Sequence, residues 1–453
     1  MWPVHLTHPS YGDSLSFLLA ADQGIYTDPT RTSGYSLFLR LTHAVSDEVF
    51  FTVAVQHLLG LGAAALAYLA VRRLGISSAV AVVPAAVLAL GGDSLFLEHT
   101  LLSDTLFVAA VSVVLYTAVR SLEPGRWQLA WLLAAGLALG GATLVRSAGL
   151  MLVPAVGLWL VFALGGRARA RLALPAVAVA AALAVVACDA ALRAANSDHA
   201  GFSPTSGRSL YARVAQFADC DRFEPPAGTS VLCEDTPPDS RPGPDYYVAV
   251  DDAPPKRLFG LPPGGDEELG RFARAAIVAQ PLDYARAVAS DLVRYVAPHH
   301  SSRPYAGLGP EVLRLGQEPA ATPAQVERVI GSYYEPASPK ERFPLELFNA
   351  YAGIVRGHGV LLPLALLLAV AGLVLGGRRE RVAVGLLGGV ALALAAFPPA
   401  VLAYNPRYIV PALAPLAAAA AVGGAATASR VGGSSRASPQ GAPPWRRSRP
   451  RRQ

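Results

Sequence analysis

Long apolar runs recur along this chain, and their length constrains its fold more than any other feature. A helix needs about 20 apolar residues to cross the roughly 30 Å hydrocarbon core of a bilayer. Nine runs come close to that length: Val49–Val71, Ile76–Gly92, Leu101–Val119, Trp127–Val145, Ser147–Leu164, Leu172–Leu192, Val360–Gly377, Val382–Tyr404 and Ile409–Ala428. Charged residues make up only 15% of the chain, against about a quarter in soluble domains. We therefore expect an all-α polytopic membrane protein with about nine spans.

Arginine residues indicate how these spans are oriented. They cluster in alternate loops and in the C-terminal tail: Arg72, Arg73, Arg120, Arg126, Arg167, Arg169, Arg171, Arg378, Arg379, Arg381, Arg430, Arg436, Arg446, Arg447, Arg449, Arg451 and Arg452. Short loops rich in Lys and Arg stay in the cytoplasm, so these loops mark the cytoplasmic face of a multi-pass plasma-membrane protein. The terminal cluster is interpreted as a topology anchor or a contact with anionic membrane lipids, and not as a nucleic-acid site.

This orientation divides the chain into five parts. They are an external loop at 1–48, a transmembrane block at 49–192, an external soluble segment at 193–359, a second transmembrane block at 360–428, and a basic, disordered cytoplasmic tail at 429–453. Because Met1 would then lie outside, we expect a further transmembrane helix to precede it in the complete protein. The alternative is that the first loop crosses the membrane together with the first helical hairpin.

The long external segment combines loops with helices. Pro, Gly and Asp are frequent between Ser203 and Gly265, which is typical of loops. Apolar residues at helical spacing predict helices at Glu267–Ala279, Leu282–Val296 and Ala324–Tyr334. The segment is therefore expected to be a mainly helical, loop-rich domain.

Two of the three cysteines, Cys220 and Cys233, lie close together in this segment. Outside the cytoplasm they are expected to form a disulfide, the alternative being two free thiols. Nothing in the sequence resembles a Cys-x-x-Cys zinc site, and the adjacent His299 and His300 are interpreted as solvated loop residues. No cofactor is predicted, and a divalent metal has no support in the sequence.

Two acidic residues give the first indication of function. Asp104 opens the apolar run Leu101–Val119, and Asp13 lies in a segment placed on the same side of the membrane. A charge inside a membrane helix costs about 2.5–3.5 kcal/mol, so such residues usually face a water-filled cavity. Two carboxylates on one face suggest an enzyme, or a transporter, with its chemistry at the membrane surface.

Four short motifs occur on the predicted external side. In chain order they are Tyr11-Gly12-Asp13-Ser14 with a later Gly34–Leu39, Leu101–Phe107 around Asp104, Leu144–Leu150 around Arg146, and Tyr404–Pro411 around Arg407. In their order and sidedness these motifs resemble the GT-C superfamily of polytopic glycosyltransferases, in the branch of the protein mannosyltransferases and aminoarabinose transferases. The resemblance covers both transmembrane blocks and implies a GT-C-like helical bundle.

This chain departs from the family pattern at four points. The resemblance implies a further helix before the first loop, and that loop holds one acid, Asp13, where many relatives have a pair. Ser33 replaces a proline, and Asp104 stands where Glu is common. These departures concern the roles assigned to individual site residues more than the resemblance to the family.

The resemblance implies transfer of a sugar from a polyprenyl-phosphate donor to an unidentified glycan, lipid or protein acceptor. Asp13 would be the general base, and Asp104 would position the acceptor or orient Asp13. Arg407 and Arg146 would bind the donor phosphate, because a guanidinium binds two phosphate oxygens and keeps its charge when desolvated. Further candidates for substrate binding are Tyr408, Tyr35 and Glu98.

Structural interpretations compete with these roles. Asp104 could belong to a helix cap, Asp13 could be an ordinary loop acid, Arg407 and Tyr408 could be interfacial anchors, and Arg146 could neutralise a turn. A transporter or flippase of a lipid-linked glycan is the main alternative function, and a non-catalytic scaffold is the third. A transporter is expected to carry charges near mid-span. The charges here lie at span ends on one side, which favours the enzyme.

Overall fold

The computed structural model describes residues 13–164, 168–198, 201, 204–297, 303–307, 313–314, 331, 333–334, 345–356, 359 and 361–431. Within these ranges the chain is helical and contains no strand, which confirms the predicted all-α class. Tyr11, Gly12, His299, His300 and most of the helix predicted at Ala324–Tyr334 lie outside the described residues.

Helices follow one another with mostly short connections. Their bounds are α1 Asp13–Gln23, α2 Ser33–His43, α3 Val49–Arg73, α4 Ser78–Leu90, α5 Gly92–Glu98, α6 Asp104–Arg120, α7 Gln128–Val145, α8 Leu152–Ala163, α9 Ala168–Asn196, α10 Ser206–Ala215, α11 Pro244–Ala249, α12 Pro254–Phe259, α13 Asp266–Ala279, α14 Pro281–Val296, α15 Leu345–Ile354, α16 Leu361–Leu375, α17 Arg378–Val401 and α18 Val410–Val431. Short 3-10 turns lie at Ser147–Met151, Cys220–Arg222, Ser230–Leu232, Pro238–Ser240 and Pro406–Ile409.

Each of the nine predicted spans coincides with a helix, but the count of nine is not confirmed. Among the described residues, five helices are long and apolar enough to cross a membrane: Val49–Arg73, Gln128–Val145, Arg171–Asn196, Arg378–Val401 and Pro406–Arg430. A sixth span is counted if α4 and α5, which are bent by 49° at their junction, act together. The helices at the other predicted spans, α6, α8 and α16, are shorter. These apolar helices identify an integral membrane protein.

One hydrophobic core joins the helices of the two transmembrane blocks. In the first block α3 packs against α6, and α7 packs against α9. In the second block α16 and α17 both pack against α18, and α18 also contacts α4. Buried side chains from both blocks share this core, among them Leu139, Val156, Leu387 and Val422. The two blocks therefore form a single bundle.

The segment from α10 to α14 has a smaller core of its own. Tyr211 and Phe272 are buried there, and Cys220 and Cys233, which are joined in a disulfide, pack against it. α13 and α14 match the two helices predicted between residues 267 and 296. Because α14 contacts α16 and α17, and α10 contacts α17, this segment is seated directly on the bundle.

Candidate active site

Three arginines and two aspartates meet where α1, α6 and the turns before Ser147 and before α18 come together. Nη2 of Arg31 lies 2.6 Å from Oδ1 of Asp13, and Arg407 pairs with the other oxygen of that carboxylate. Nη1 of Arg146 lies 2.5 Å from Oδ1 of Asp104, and Nη1 of Arg407 lies 3.8 Å from Oδ2 of Asp104. Arg407 therefore contacts both carboxylates. We call these five side chains the Asp–Arg cluster.

Asp13 is the first residue of α1, where the helix dipole favours a negative charge. Burial raises the pKa of Asp13, but the positive charges of Arg31, Arg407 and Arg146 outweigh it, and the pKa lies well below the usual value. Arg31 also donates through Nε to Ser16 Oγ at 2.5 Å, which fixes it against the same helix. Asp13 is thus held as an anion between two guanidinium groups.

Asp104 is fully buried, with 0% of its side chain exposed, at the start of α6. Ser103 occupies the N-cap position and no side-chain cap bond forms there, so Asp104 lies inside the helix and does not cap it. Both carboxylate oxygens face guanidinium groups, yet within the described residues neither accepts a hydrogen bond of good geometry. The charge of this buried carboxylate is therefore balanced by the two ion pairs.

Two glycines explain why Arg146 reaches Asp104. Arg146 is extended (φ −149°, ψ 136°) directly after α7. A Cβ atom on Gly149 would lie 2.6 Å from the Thr143 nitrogen, so only glycine lets the following turn fold back onto α7. A Cβ atom on Gly34 would lie 2.8 Å from the Leu144 carbonyl, which shows how closely α2 approaches the same helix end. The two glycine motifs thus bring the first loop beside Arg146.

Arg407 is held by the turn that precedes α18. Oδ1 of Asn405 accepts a hydrogen bond from the backbone nitrogen of Arg407 at 3.2 Å. Pro406 takes the first position of the turn, where a missing backbone N–H leaves no hydrogen bond unmade. The Tyr408 ring contacts both flanking arginines, with its centroid 5.3 Å from Cζ of Arg146 and 5.2 Å from Cζ of Arg407. Such cation–π contacts favour fixed guanidinium positions.

Two predicted site residues, Tyr35 and Glu98, are not part of the Asp–Arg cluster. The Tyr35 hydroxyl donates to Oε1 of Gln56 at 2.8 Å, and Nε2 of Gln56 donates to the Glu98 carbonyl at 3.0 Å. The Glu98 carboxylate lies 2.6 Å from Nδ1 of His57. Their roles in substrate binding stay predictions. Within the described ranges, no three His, Cys, Asp or Glu side chains are arranged to hold a metal ion.

Sequence reasoning missed Arg31, although its position is informative. Basic residues are depleted in short external loops, and Arg31 lies in the loop predicted to be external, 18 residues after Asp13. Arg193 on α9 donates to the Arg31 carbonyl at 2.8 Å. One turn earlier on α9, Asp189, which interrupts a predicted span, accepts a hydrogen bond from Ser33 Oγ at 2.5 Å. The polar end of α9 therefore supports the loop that carries Arg31.

Comparisons with known proteins gave one family match and one similar solved structure. No curated protein matches the chain. Among solved structures, the apo form of ArnT from Cupriavidus metallidurans is similar, with 14% identity over 94% of this chain and 76% of that one, and a TM-score of 0.37. Residues 32–190 match the model of the dolichyl-phosphate-mannose-protein mannosyltransferase family. This match includes Asp104 and Arg146, and for this part of the chain it supports the predicted resemblance to GT-C glycosyltransferases.

Proposed function

We propose that this protein is a membrane glycosyltransferase that moves a sugar from a polyprenyl-monophosphate carrier to an acceptor at the external face of the bilayer. The observation that carries the proposal is the Asp–Arg cluster, in which Arg407 contacts both Asp13 and Asp104. The family match over residues 32–190 supports the same class of enzyme.

The charge balance of the cluster favours a donor with one phosphate. Its three guanidinium groups and two carboxylates leave one positive charge in excess. A phosphodiester between a polyprenol and a sugar carries one negative charge, whereas a diphosphate carries at least two. Because uncompensated charge is costly at a partly buried site, the single excess charge suits the monophosphate. Arginine binds phosphate oxygens two at a time, which also orients the donor.

In this proposal Asp13 becomes an effective base only when the donor is bound. Its two arginine partners hold its pKa well below the usual value, and a carboxylate with so low a pKa accepts protons poorly. A donor phosphate that pairs with Arg407 removes one partner from Asp13 and so raises its pKa. Asp13 then takes the proton of the acceptor hydroxyl or amine as that group attacks the anomeric carbon. The polyprenyl phosphate leaves with the electron pair of the broken carbon–oxygen bond.

Asp104 is suited to hold the acceptor. It is buried, its charge is balanced by Arg146 and Arg407, and Arg407 links it to Asp13. An acceptor hydroxyl or amine that donates to Asp104 would be placed beside Asp13, because Arg407 contacts both carboxylates. Holding two reactants in this way supplies much of the rate in many enzymes.

The experiment is transfer in membranes that contain the protein, with a polyprenyl-monophosphate sugar labelled in its sugar. We expect label to move from the lipid pool to a new product. Asp13→Asn keeps the side-chain volume but removes the base, so transfer should fall at least about a hundredfold. Arg407→Lys keeps the charge but loses the two-point contact, so the donor KM should rise.

Asp22→Asn is the matched control, because Asp22 is an exposed acid on the same helix as Asp13. It should leave transfer and abundance unchanged. Two results would contradict the proposal: full activity of Asp13→Asn, or movement of the intact lipid-linked sugar across the membrane without transfer.

A further inference from the structure

A buried group of charges lies in the α10–α14 segment, outside the Asp–Arg cluster. Arg213 on α10 is 1% exposed and pairs with Oδ2 of Asp291 on α14, which is 13% exposed. Arg294, one turn further along α14 and 3% exposed, has Nη1 3.6 Å from Oδ1 of Asp291. Its guanidinium lies 4.1 Å from the centroid of the Tyr404 ring. Burying such charges is unfavourable even when they are paired, so their position requires an explanation.

Both members of the Arg213–Asp291 pair bind the connection 402–405, which leads from α17 to Arg407. Nε of Arg213 donates to the carbonyl oxygen of Leu402 at 2.8 Å. Oδ2 of Asp291 accepts a hydrogen bond from the Tyr404 nitrogen at 3.1 Å. Arg407 follows Tyr404 by three positions, and hydrogen bonds to charged groups are the stronger ones.

The connection 402–405 has no regular secondary structure that could hold its backbone in place. α17 ends at Val401 after Pro398 and Pro399, and residues 402–405 belong to no helix. Tyr284 on α14 also donates to the Ala400 carbonyl at 2.9 Å. The path of the chain into Arg407 therefore depends on contacts made by α10 and α14.

We propose that Arg213 and Asp291 are positioning residues for Arg407. By holding Leu402 and Tyr404 they fix the turn, so that the Arg407 guanidinium meets Asp13 and the donor phosphate. The functional half of this inference rests on the proposed function, whereas the geometric half does not. The α10–α14 segment would thus be part of the donor site without contacting the donor.

Hydrogen exchange tests the geometric half without an activity assay. In Asp291→Asn the Tyr404 amide loses its charged acceptor, so exchange of the peptide 402–408 should become several-fold faster. Arg213→Lys keeps a positive charge beside Asp291 but has one nitrogen in place of the two that bind the Leu402 carbonyl and that carboxylate, so it should have the same effect. Asp283→Asn is the control, since this acid lies on the same helix and pairs with an arginine at 2.7 Å. Unchanged exchange in both test variants would overturn the inference.

Donor kinetics test the functional half. Asp291→Asn should lower kcat/KM for the donor by up to about a hundredfold, the scale of a misplacement of about 1 Å. In an Arg407→Lys background the same change should add less than about twofold, because coupled residues are not additive. Fully multiplicative effects would overturn the positioning role. If exchange changes as expected but the wild type transfers no sugar, the proposed function fails and the positioning of the turn stands.

Discussion

At the scale of single residues, Arg31 is one of the arginines that lower the pKa of the proposed base, Asp13. Burial raises the pKa of Asp13, whereas the charges of Arg31, Arg407 and Arg146 and a hydrogen bond from Arg407 lower it. Arg31→Gln should therefore raise that pKa. A general base works only when deprotonated, so activity is lost as the pH falls through its pKa. We expect the acidic limb of the kcat/KM profile to move to higher pH in this variant.

The control for Arg31→Gln is Arg40→Gln. Arg40 lies on α2 and donates through Nε to the Ala21 carbonyl of α1 at 2.5 Å, so it supports the same helix without contacting Asp13. This variant should leave the acidic limb where it is in the wild type. A limb that moves equally in both variants, or in neither, would show that Arg31 does not set the pKa of the base.

A second residue prediction concerns stability. Burial raises the pKa of Asp245 to about 6; Asp291 adds to this shift, and Arg294, Arg213 and Arg407 oppose it. A carboxyl whose pKa is higher folded than unfolded stabilises the fold at low pH, and this stabilisation is lost as the pH rises through about 6. Asp245→Asn removes that loss. The variant should therefore gain thermal stability over wild type as the pH is raised.

Thermal unfolding in detergent at about pH 4 and about pH 7.5 checks this prediction. The difference in midpoint between Asp245→Asn and wild type should be larger at the higher pH, because only there is the wild-type carboxyl forced to ionise. Equal differences at both pH values would mean that ionisation of Asp245 does not affect folding.

The sequence located four of the five clustered residues but not their pairing. Asp104 was predictable because a charge in an apolar run is unusual, and Asp13, Arg146 and Arg407 were identified from the motifs that resemble the GT-C family. Their contacts join positions as far as 394 residues apart, and no local pattern encodes such a pairing. Tyr35 was predicted from its motif to bind substrate, but the structure does not place it in the Asp–Arg cluster. The neighbouring Gly34 allows the close approach of α2 to the end of α7, and the Tyr35 hydroxyl donates to Gln56.

At the scale of elements, the length of an apolar run predicted where helices lie but not how they bend. The run Ile76–Gly92 covers α4 and the first residue of α5, which are bent by 49°. The helices in the loop-rich segment were predictable because their apolar residues recur at helical spacing. The packing of α14 against α17 was not predictable, since it depends on which elements meet in space.

The disulfide is an element-scale prediction. It closes a loop of sequence separation 13 beside the α10–α14 core, and closing a loop of this size stabilises a fold by roughly 2–4 kcal/mol. Cys220→Ser should therefore lower the unfolding midpoint. Non-reduced peptide mass spectrometry should show Cys220 linked to Cys233. Alkylation of both thiols without reductant would refute the bond, and reductant should not affect the double variant Cys220→Ser/Cys233→Ser.

At the scale of the whole molecule, the proposed chemistry depends on which side of the membrane holds the Asp–Arg cluster. The α10–α14 segment contacts the turn before Arg407, so the two lie on the same side. The prediction that this side is external depends on arginines such as Arg72, Arg73 and Arg379, which follow or precede spans on the opposite face. A polyprenyl-linked donor would meet the site where its phosphate reaches that external surface.

Cysteine labelling tests this orientation directly. Ser240 lies exposed in the α10–α14 segment, and Ser78 lies exposed at the start of α4 on the predicted cytoplasmic side. Each is changed to cysteine in a Cys188→Ser background, because Cys188 is the free and exposed thiol. An impermeant thiol reagent should label Ser240→Cys in intact cells and Ser78→Cys only after lysis, because a charged reagent does not cross the bilayer. The opposite pattern would place the site in the cytoplasm, where the positive-inside argument and the external acceptor would both be wrong.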